Sequence, residues 1–513
     1  MNGKVYLVGA GPGDAGLITV RGQHCISECD VLVYDALANP VLLDLAPSSA
    51  ERIYVGKRAA DHTLTQDQIN DLLAEKAQLG LNVVRLKGGD PYLFGRGAEE
   101  VAYLAERGVC CEVIPGVTSG IAAPAMAGIP VTHRKIASTV SFITGHEDPT
   151  KESTKVDYRA LAQLAIAGGT LCFYMGVGRL ENICQSLAQH GLPNDTPVAL
   201  VQWGTTTRQR HVRTTLATAR QDVDAAGISS PAIIVVGQVA GVEEPGLDFF
   251  IQRPLFDRRI VITRTRQQAS QLKHSLSELG AQVYEAPTIA LVEPDDWSDV
   301  DAAIRSVTDF DWLVLTSSNG VAALAGRLQA LELDSRHLNG VQIAAIGTAT
   351  ADALREHLSI RADLIPTRFV AESLAAELIA KQDIAGKRFL LLRADIARPA
   401  LPRLLKEAGA DITELCAYQT KLEAGLPEDV LTALRDGEVN WITFTSSSTA
   451  RNMMELLGDE SHLLGSIKIA SIGPITSETV RELGLSVTVE AQRSDIPGLI
   501  QAIVSAVRAD ASA

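Results

Sequence analysis

The stretch VVRLKGGDPYLFGRGAEE, Val83–Glu100, decides how the first half of this chain is read. It begins as a buried strand, breaks at Gly88-Gly89-Asp90-Pro91, and restarts at Phe94-Gly95-Arg96-Gly97 as the opening of a helix. Two adjacent glycines let a backbone approach a ligand closely, and Pro91 sets the exit direction. Upstream, the strand VYLVG runs into GAGPGDAG (Gly9–Gly16). Downstream, VIPGVTSGIAAPAMAGIPVTHR (Val113–Arg134) carries Gly116, Thr118 and Ser119 at a helix start, then Pro130, Thr132, His133 and Arg134. Any one of these loops is an ordinary β–α connection or a ligand loop. Three in one sheet, in this order, point to a ligand.

Gly9–Gly16 imitates the dinucleotide fingerprint G-x-G-x-x-G, and Asp35, ending the strand VLVYD, imitates its ribose-binding acid. Position 14 is Asp where the third glycine should stand, and its carboxylate would face a pyrophosphate. An NAD site is therefore not expected, and with it a nucleotide-sensing protein with a periplasmic-type binding module in its second half is disfavoured.

Outward from these loops, strand-like runs alternate with helical patterns, which predicts parallel sheets covered by helices. Strands are expected at 5–8, 31–34, 52–55, 82–86, 111–114, 141–144, 171–174, 197–202 and 232–236, and helices around 65–78 and 97–106. Near residue 250 the composition changes: Gly241–Arg259 turns acidic, then gains Pro, Gly and aromatics, before a fresh strand begins at RIVITR. The half beyond it is internally duplicated. RIVITRTRQQ (from Arg259) resembles RFLLLRADIA (from Arg388), DWLVLTSSNG (from Asp311) resembles NWITFTSSST (from Asn440), and IAAIGTATADALREHL (from Ile343) resembles IASIGPITSETVRELGL (from Ile469). Nearly constant offsets imply two similar α/β lobes with a ligand cleft between them.

From Lys4 to about Val239 the motifs VYLVGAGPGD, VLVYD, VGKRA, VVRLKGGDPYLFGRG, VIPGVTSGIAAPAMAGIPVTHR, TGH (Thr144–His146), LCFYMGV and PAIIVVGQV resemble the uroporphyrinogen-III C-methyltransferase family. The resemblance implies a two-lobed α/β tetrapyrrole methyltransferase fold with S-adenosyl-L-methionine held between the lobes, S-adenosyl-L-homocysteine as product, and a homodimer. It implies cofactor contacts at Pro12, Gly88, Gly89, Asp90, Leu93, Thr118, Ser119, Met175 and Gly204. The family's proposed base falls on Asp35 and its proposed acid on Lys57. Asp35 also reads as a strand-end acid capping the next helix. Trp203 departs from the pattern, which has a polar residue before the Gly204 position. Arg21, Lys57, Arg58, Arg96 and Arg134 are candidates to hold the substrate's carboxylates, since arginine pairs with them bidentately; each equally reads as a solvated surface charge.

Residues 257 to about 505 resemble uroporphyrinogen-III synthase through TSSNGV, IGTATADAL, LLLRAD…CAYQT, TFTSSST and IGPITSETVRELG. A Thr-Ser-Ser run between strand and helix offers hydroxyls and free N–H groups to acetate and propionate arms. Thr316, Ser317 and Ser318, with Thr445, Ser446 and Ser447, are thus candidate contacts, although Ser and Thr are also ordinary caps. Tyr418 matches the family's tyrosine and would assist departure of the substrate hydroxyl; a partly buried structural tyrosine is the other reading.

The two resemblances place a methyltransferase at residues 1–245 (lobes about 1–114 and 115–245), a linker at 246–256 and a synthase at 257–513 (lobes about 257–290 plus 422–513, and 291–421). They imply closure of hydroxymethylbilane to uroporphyrinogen III with inversion of the last ring, then transfer of two methyl groups to give precorrin-2, a precursor of sirohaem and of cobalamin. A methyltransferase of a later precorrin would share the cofactor loops, but would leave the synthase without a purpose.

Composition agrees with this frame. The chain has 513 residues, 46% hydrophobic and 21% charged, an ordinary globular balance. A net charge of −15 excludes a basic nucleic-acid module. Seven cysteines without a C-x-x-C pair read as buried free thiols, and no metal site is expected. No apolar run is long enough to span a bilayer, and the opening MNGKVYLVGAG carries no signal-peptide pattern, so a soluble, cytoplasmic protein with tetrapyrrole substrates is expected.

Overall fold

The computed structural model describes residues 3–56, 64–145, 156–264, 266–381 and 383–512. The chain divides into two compact units: Met1–Arg258 with Leu276–Gln282 and Val507–Ala513, and Arg259–Ser275 with Val283–Ala506. Among the described residues, twenty strands form four five-stranded sheets, two per unit.

In the first unit, β1 (Lys4–Gly9), β2 (Val31–Tyr34), β3 (Glu51–Tyr54), β4 (Val83–Lys87) and β5 (Cys110–Ile114) lie in the order β3-β2-β4-β1-β5, every pairing parallel. The Val/Leu content of these strands follows from burial on both faces. Val5, Leu7, Val31 and Val33 pack on Leu73 and Ala77 of the helix Gln66–Gln78, while Val8, Leu32 and Leu86 pack on Cys25 and Ile26 of the helix Val20–Ser27. Thr65 and Gln68 close a capping box at the start of Gln66–Gln78, which fixes where that helix begins. Because the strands are parallel, the loops after β1, β2, β4 and β5 emerge at one edge, where α/β sheets bind ligands.

The second sheet holds β6 (Val140–Thr144), β7 (Thr170–Tyr174), β8 (Pro197–Gln202), β9 (Arg210–Thr215) and β10 (Ala232–Val236), ordered β6-β7-β10-β8-β9. Only β6–β7 is parallel; β10 runs antiparallel to β7 and β8, and β9 to β8. This corrects the expectation of parallel sheets. Strand β9 was also missed: RHVRTT holds one aliphatic residue, enough for an edge strand with a single partner but too few for an apolar run. The small side chains of Ala123 and Ala127 let the helix Ser119–Met126 lie close on this sheet, against Cys172, Ala199, Val201 and Val235.

The second unit holds β11 (Arg259–Ile262), β12 (Gln282–Glu285), β13 (Ile289–Val292), β14 (Trp312–Leu315), β15 (Gln342–Ala345), β16 (Arg388–Ala394), β17 (Asp411–Leu422), β18 (Trp441–Phe444), β19 (Lys468–Ser471) and β20 (Val487–Glu490). One sheet is β12-β11-β18-β19-β20 and the other β13-β17-β16-β14-β15. The duplicated segments take equivalent places, with β12-β11-β18-β19 in one sheet matching β17-β16-β14-β15 in the other. Each sheet therefore combines strands from both sequence repeats. The chain changes sheets twice, between β12 and β13 and after the twelve-residue β17. The first part of β17 pairs in parallel with β16 and its last four residues pair antiparallel with β13, a second departure from wholly parallel sheets. Repeat-equivalent Trp312 and Trp441 are both fully buried, one in each sheet.

All seven cysteines are free. Burial pushes the thiols of Cys172 and Cys184 up to about 12 and about 11. Cys110 is exposed and Cys111 and Cys416 are half-buried, against the expectation of uniform burial. Among the described residues no helix is long and apolar enough to cross a membrane, and no cluster of metal ligands occurs.

Candidate functional site

The glycines of the three loops let main chain cross main chain. Gly89 N–H donates to the Gly11 carbonyl at 2.7 Å and Gly11 N–H to the Gly89 carbonyl at 3.3 Å, a two-residue antiparallel bridge beyond the ends of β1 and β4. A Cβ on Gly116 would lie 2.2 Å from the Gly89 carbonyl oxygen and 2.7 Å from Gly9 Cα, so three backbones meet at one point. Gly89 has φ +68° and open space where a side chain would be, the face a ligand can approach. Asp90 fastens the assembly: one carboxylate oxygen accepts from Tyr92 and Leu93 N–H, the other from Gly116 N–H at 3.0 Å. The Gly88 loop and the Gly116 loop are thereby one body.

The first loop shows why it is not a dinucleotide fingerprint. Asp14 caps a single 3-10 turn, Ala15–Leu17, by accepting from Gly16 N–H at 2.8 Å. The following helix begins only at Val20, with Thr19 as its cap, so no helix N-terminus faces the glycines. Pro12 stands at the half-buried bend between the Gly11 bridge and Gly13. Thr205 of the second sheet's loop accepts from Asp14 N–H at 3.0 Å, Asn39 Nδ2 donates to the Gly13 carbonyl at 2.6 Å, and Gln209 links Thr205 N–H to the Met126 carbonyl. The loop Trp203–Arg210 thus latches onto Gly9–Gly16. Gly204 is explained by packing: a Cβ there would sit 2.2 Å from Ala123 Cβ.

Tyr174, at the end of β7, draws the remaining pieces together. Its hydroxyl lies 2.6 Å from Thr118 Oγ1 and accepts from Gly120 N–H at 2.7 Å, while its ring packs on Phe94 and Phe142. Leu93 packs against the same core as Tyr174. Burial raises the Tyr174 phenol above its ordinary range, so it stays protonated. Next to it, Met175 is half exposed at φ +55°, and Phe94, Arg96, Trp203 and Thr205 also occupy the left-handed region, which is unfavourable for residues with a Cβ. Strain of this kind gathers where loops are held for a purpose. Leu37, Tyr92 and Phe94 add exposed apolar surface on these loops.

Asp35 follows β2 at the same sheet edge. One oxygen accepts from Leu37 N–H at 3.1 Å and the other pairs with Arg85 Nη2 at 3.0 Å. It closes a turn, and the next helical turn, Pro40–Leu45, is capped by Asn39 instead, so the helix-cap reading does not hold. Arg85 lies in the buried β4 and also donates to the Leu86 carbonyl. Two residues on, Lys87 pairs with the fully buried Glu100 at 2.6 Å, which also accepts from Gln66. Arg85 and Tyr174 escaped the sequence reading. For Arg85 a signal existed: two basic residues in a strand buried on both faces require partners. For Tyr174 there was none.

Three members of the expected carboxylate clamp lie among the described residues. Arg21 pairs with Glu112 at 3.3 Å beside Lys4, Arg96 caps the helix Gly97–Glu106 in a left-handed conformation and pairs with Glu99, and Arg134 is exposed in the turn closed by His133 and Ala137. Lys57, Arg58 and His146 lie outside the described residues.

In the second unit the structure brings Ser317 and Tyr418 together, Oγ to Oη at 3.0 Å, although 101 residues separate them. Ser317 also caps the helix Ser318–Ala330 by accepting from Gly320 N–H. Thr316 and Ser317 follow β14, whereas Thr445 and Ser446 follow β18 in the other sheet. There Ser446 forms a capping box with Thr449, and the Ser447 hydroxyl bonds to Thr479 and the Ile475 carbonyl. Capping thus occupies much of both runs. The repeat-equivalent arginines Arg264, two residues beyond β11, and Arg393, near the end of β16, differ: Arg393 is buried against Glu414 and the Arg398 carbonyl, while Arg264 is half-buried, and burial lowers its pKa.

Comparison with known proteins accounts for both units. Residues 4–220 match the model of the Tetrapyrrole (Corrin/Porphyrin) Methylases and residues 270–501 that of Uroporphyrinogen-III synthase HemD. Over 503 residues the chain is 35% identical to the porphyrin biosynthesis protein HemD of Ruminiclostridium josui, covering 98% of both. It is 41% identical over 344 residues to a uroporphyrinogen-III C-methyltransferase of Bacillus subtilis, covering 67% of this chain and 70% of that protein. It is 49% identical over 253 residues to an S-adenosyl-L-methionine-dependent uroporphyrinogen III methyltransferase of Methanosarcina barkeri, covering 48% of this chain and 98% of that one. The chain belongs to the family of proteins that join a tetrapyrrole methylase to a uroporphyrinogen-III synthase in one polypeptide.

Proposed function

We propose that residues 257–513 close hydroxymethylbilane to uroporphyrinogen III with inversion of the last ring, and that residues 1–245 then methylate this product twice with S-adenosyl-L-methionine to give precorrin-2. The observation that carries the reading is the single crossing point of Gly9, Gly89 and Gly116, with Met175 and Thr118 on the facing lobe. Main chain, one open glycine face and exposed apolar side chains suit a donor gripped in a bent shape.

Once bound, the donor supplies an activated methyl group. The protein's part is to align it with an electron-rich pyrrole carbon and to exclude water. Leu37, Phe94 and Met175 would provide apolar walls, and Asp35, whose carboxylate pairs with Arg85, would polarise the pyrrole N–H or collect its proton. In the second unit, the Ser317–Tyr418 pair can direct a proton toward the departing hydroxyl. A homodimer through residues 1–245 completes the proposal.

The test is to supply hydroxymethylbilane with and without S-adenosyl-L-methionine and to separate the oxidised products. Type III uroporphyrin is expected without the donor, and a dimethylated product with it. Only the type I isomer, or type III that stays unmethylated with the donor present, would overturn one half of the proposal each.

A further inference from the structure

The helix Ser119–Met126 has an unusual start. Thr118 is its N-cap residue, and a threonine there ordinarily turns its own oxygen onto the N–H two or three residues on. Here its side chain makes no capping bond. The Gly120 N–H is taken instead by the hydroxyl of Tyr174, 54 residues further along the chain, at 2.7 Å. A Cβ on Gly120 would lie 2.2 Å from that hydroxyl, so glycine is what admits it.

The phenol oxygen that accepts from Gly120 also shares a hydrogen bond with Thr118 Oγ1 at 2.6 Å, in which either hydroxyl can be the donor. Thr118 Oγ1 is thereby held on the tyrosine and off the helix backbone, and where the phenol donates, Thr118 keeps its own proton for another partner. The ring is held by Phe94 and Phe142, which joins this cap to the Gly88–Leu93 loop.

We propose that Tyr174 is a positioning residue of the methyltransferase site: it caps the helix Ser119–Met126 in place of Thr118, and so leaves the Thr118 hydroxyl free to donate to the bound methyl donor. The inference rests on the reading that residues 1–245 bind S-adenosyl-L-methionine.

Replacing Tyr174 with Phe keeps the ring contacts and removes only the hydroxyl. Thr118 can then rotate to cap Gly120 itself, which restores the helix but withdraws Thr118 from the ligand. The expected signature in the full chain is a dissociation constant for S-adenosyl-L-homocysteine raised roughly ten- to a hundred-fold by calorimetric titration, the usual effect of one buried hydrogen bond. The KM for the donor should rise in parallel, with kcat at saturation and the melting temperature nearly unchanged. Thr118→Val should weaken binding similarly, and the double variant Tyr174→Phe/Thr118→Val should be little worse than either alone, since both remove the same contact. A Tyr174→Phe protein that binds as tightly as wild type, or that loses melting temperature while keeping its affinity, would overturn the proposal. So would strictly additive losses. A wild-type chain that does not bind S-adenosyl-L-homocysteine at all would instead sink the underlying reading, and this inference with it.

Discussion

At the scale of single residues, the proposed chemistry rests on the ion pair between Asp35 and Arg85. A carboxylate with one oxygen on a buried guanidinium and the other on a backbone N–H is held in one orientation, with lone pairs left at the sheet edge. Asp35→Asn keeps the bond from Leu37 and removes the basic oxygen. If Asp35 handles the pyrrole proton, methylation should fall roughly 10²–10⁴-fold, the reach of general acid–base assistance. Affinity for S-adenosyl-L-homocysteine should change little, and synthase activity on the same chain should not change at all. Methylation at the wild-type rate would remove the assignment. The place of Asp35 at a strand end was legible in VLVYD, but its partner was not. Arg85 is fifty residues away, and only the pairing of β2 with β4 makes them neighbours.

At the scale of elements, the loops are governed by how closely backbones approach. Gly116→Ala would drive a methyl group to 2.2 Å from the Gly89 carbonyl, and neither backbone can yield without opening the Gly11–Gly89 bridge. Loss of more than about ten-fold in cofactor affinity is expected, by analogy with the removal of a buried interaction. Gly191→Ala is the control: that glycine has φ +94° but open space around it, so its cost is about 1–2 kcal/mol of backbone strain without an effect on binding. Equal affinities in the two variants would show that the crossing is incidental. Most strands were legible because a strand buried on both faces must be apolar throughout. The edge strand β9 and the antiparallel course of β8, β9 and β10 were not, since direction leaves no mark on composition.

At the scale of the whole molecule, each unit has its own sheets and its own cores. The fragment 1–258 is expected to methylate supplied uroporphyrinogen III, and the fragment 259–513 to make the type III isomer from hydroxymethylbilane. Folded but inactive fragments that regain activity on mixing would argue for one integrated unit.

By itself the sequence determined the α/β class, the glycine loops, the internal duplication and the family, because these are written in local composition and motif. The tertiary structure decided the rest. The duplicated halves exchange strands, so that β18 and β19 of the second repeat complete the sheet begun by β11 and β12 of the first. Thr118 is relieved of capping by a tyrosine from another strand, and Tyr418 finds Ser317 across 101 residues. Each of these depends on which distant segment a side chain meets, and that is fixed by sheet pairing and packing, for which a single tyrosine, arginine or serine carries no local signature.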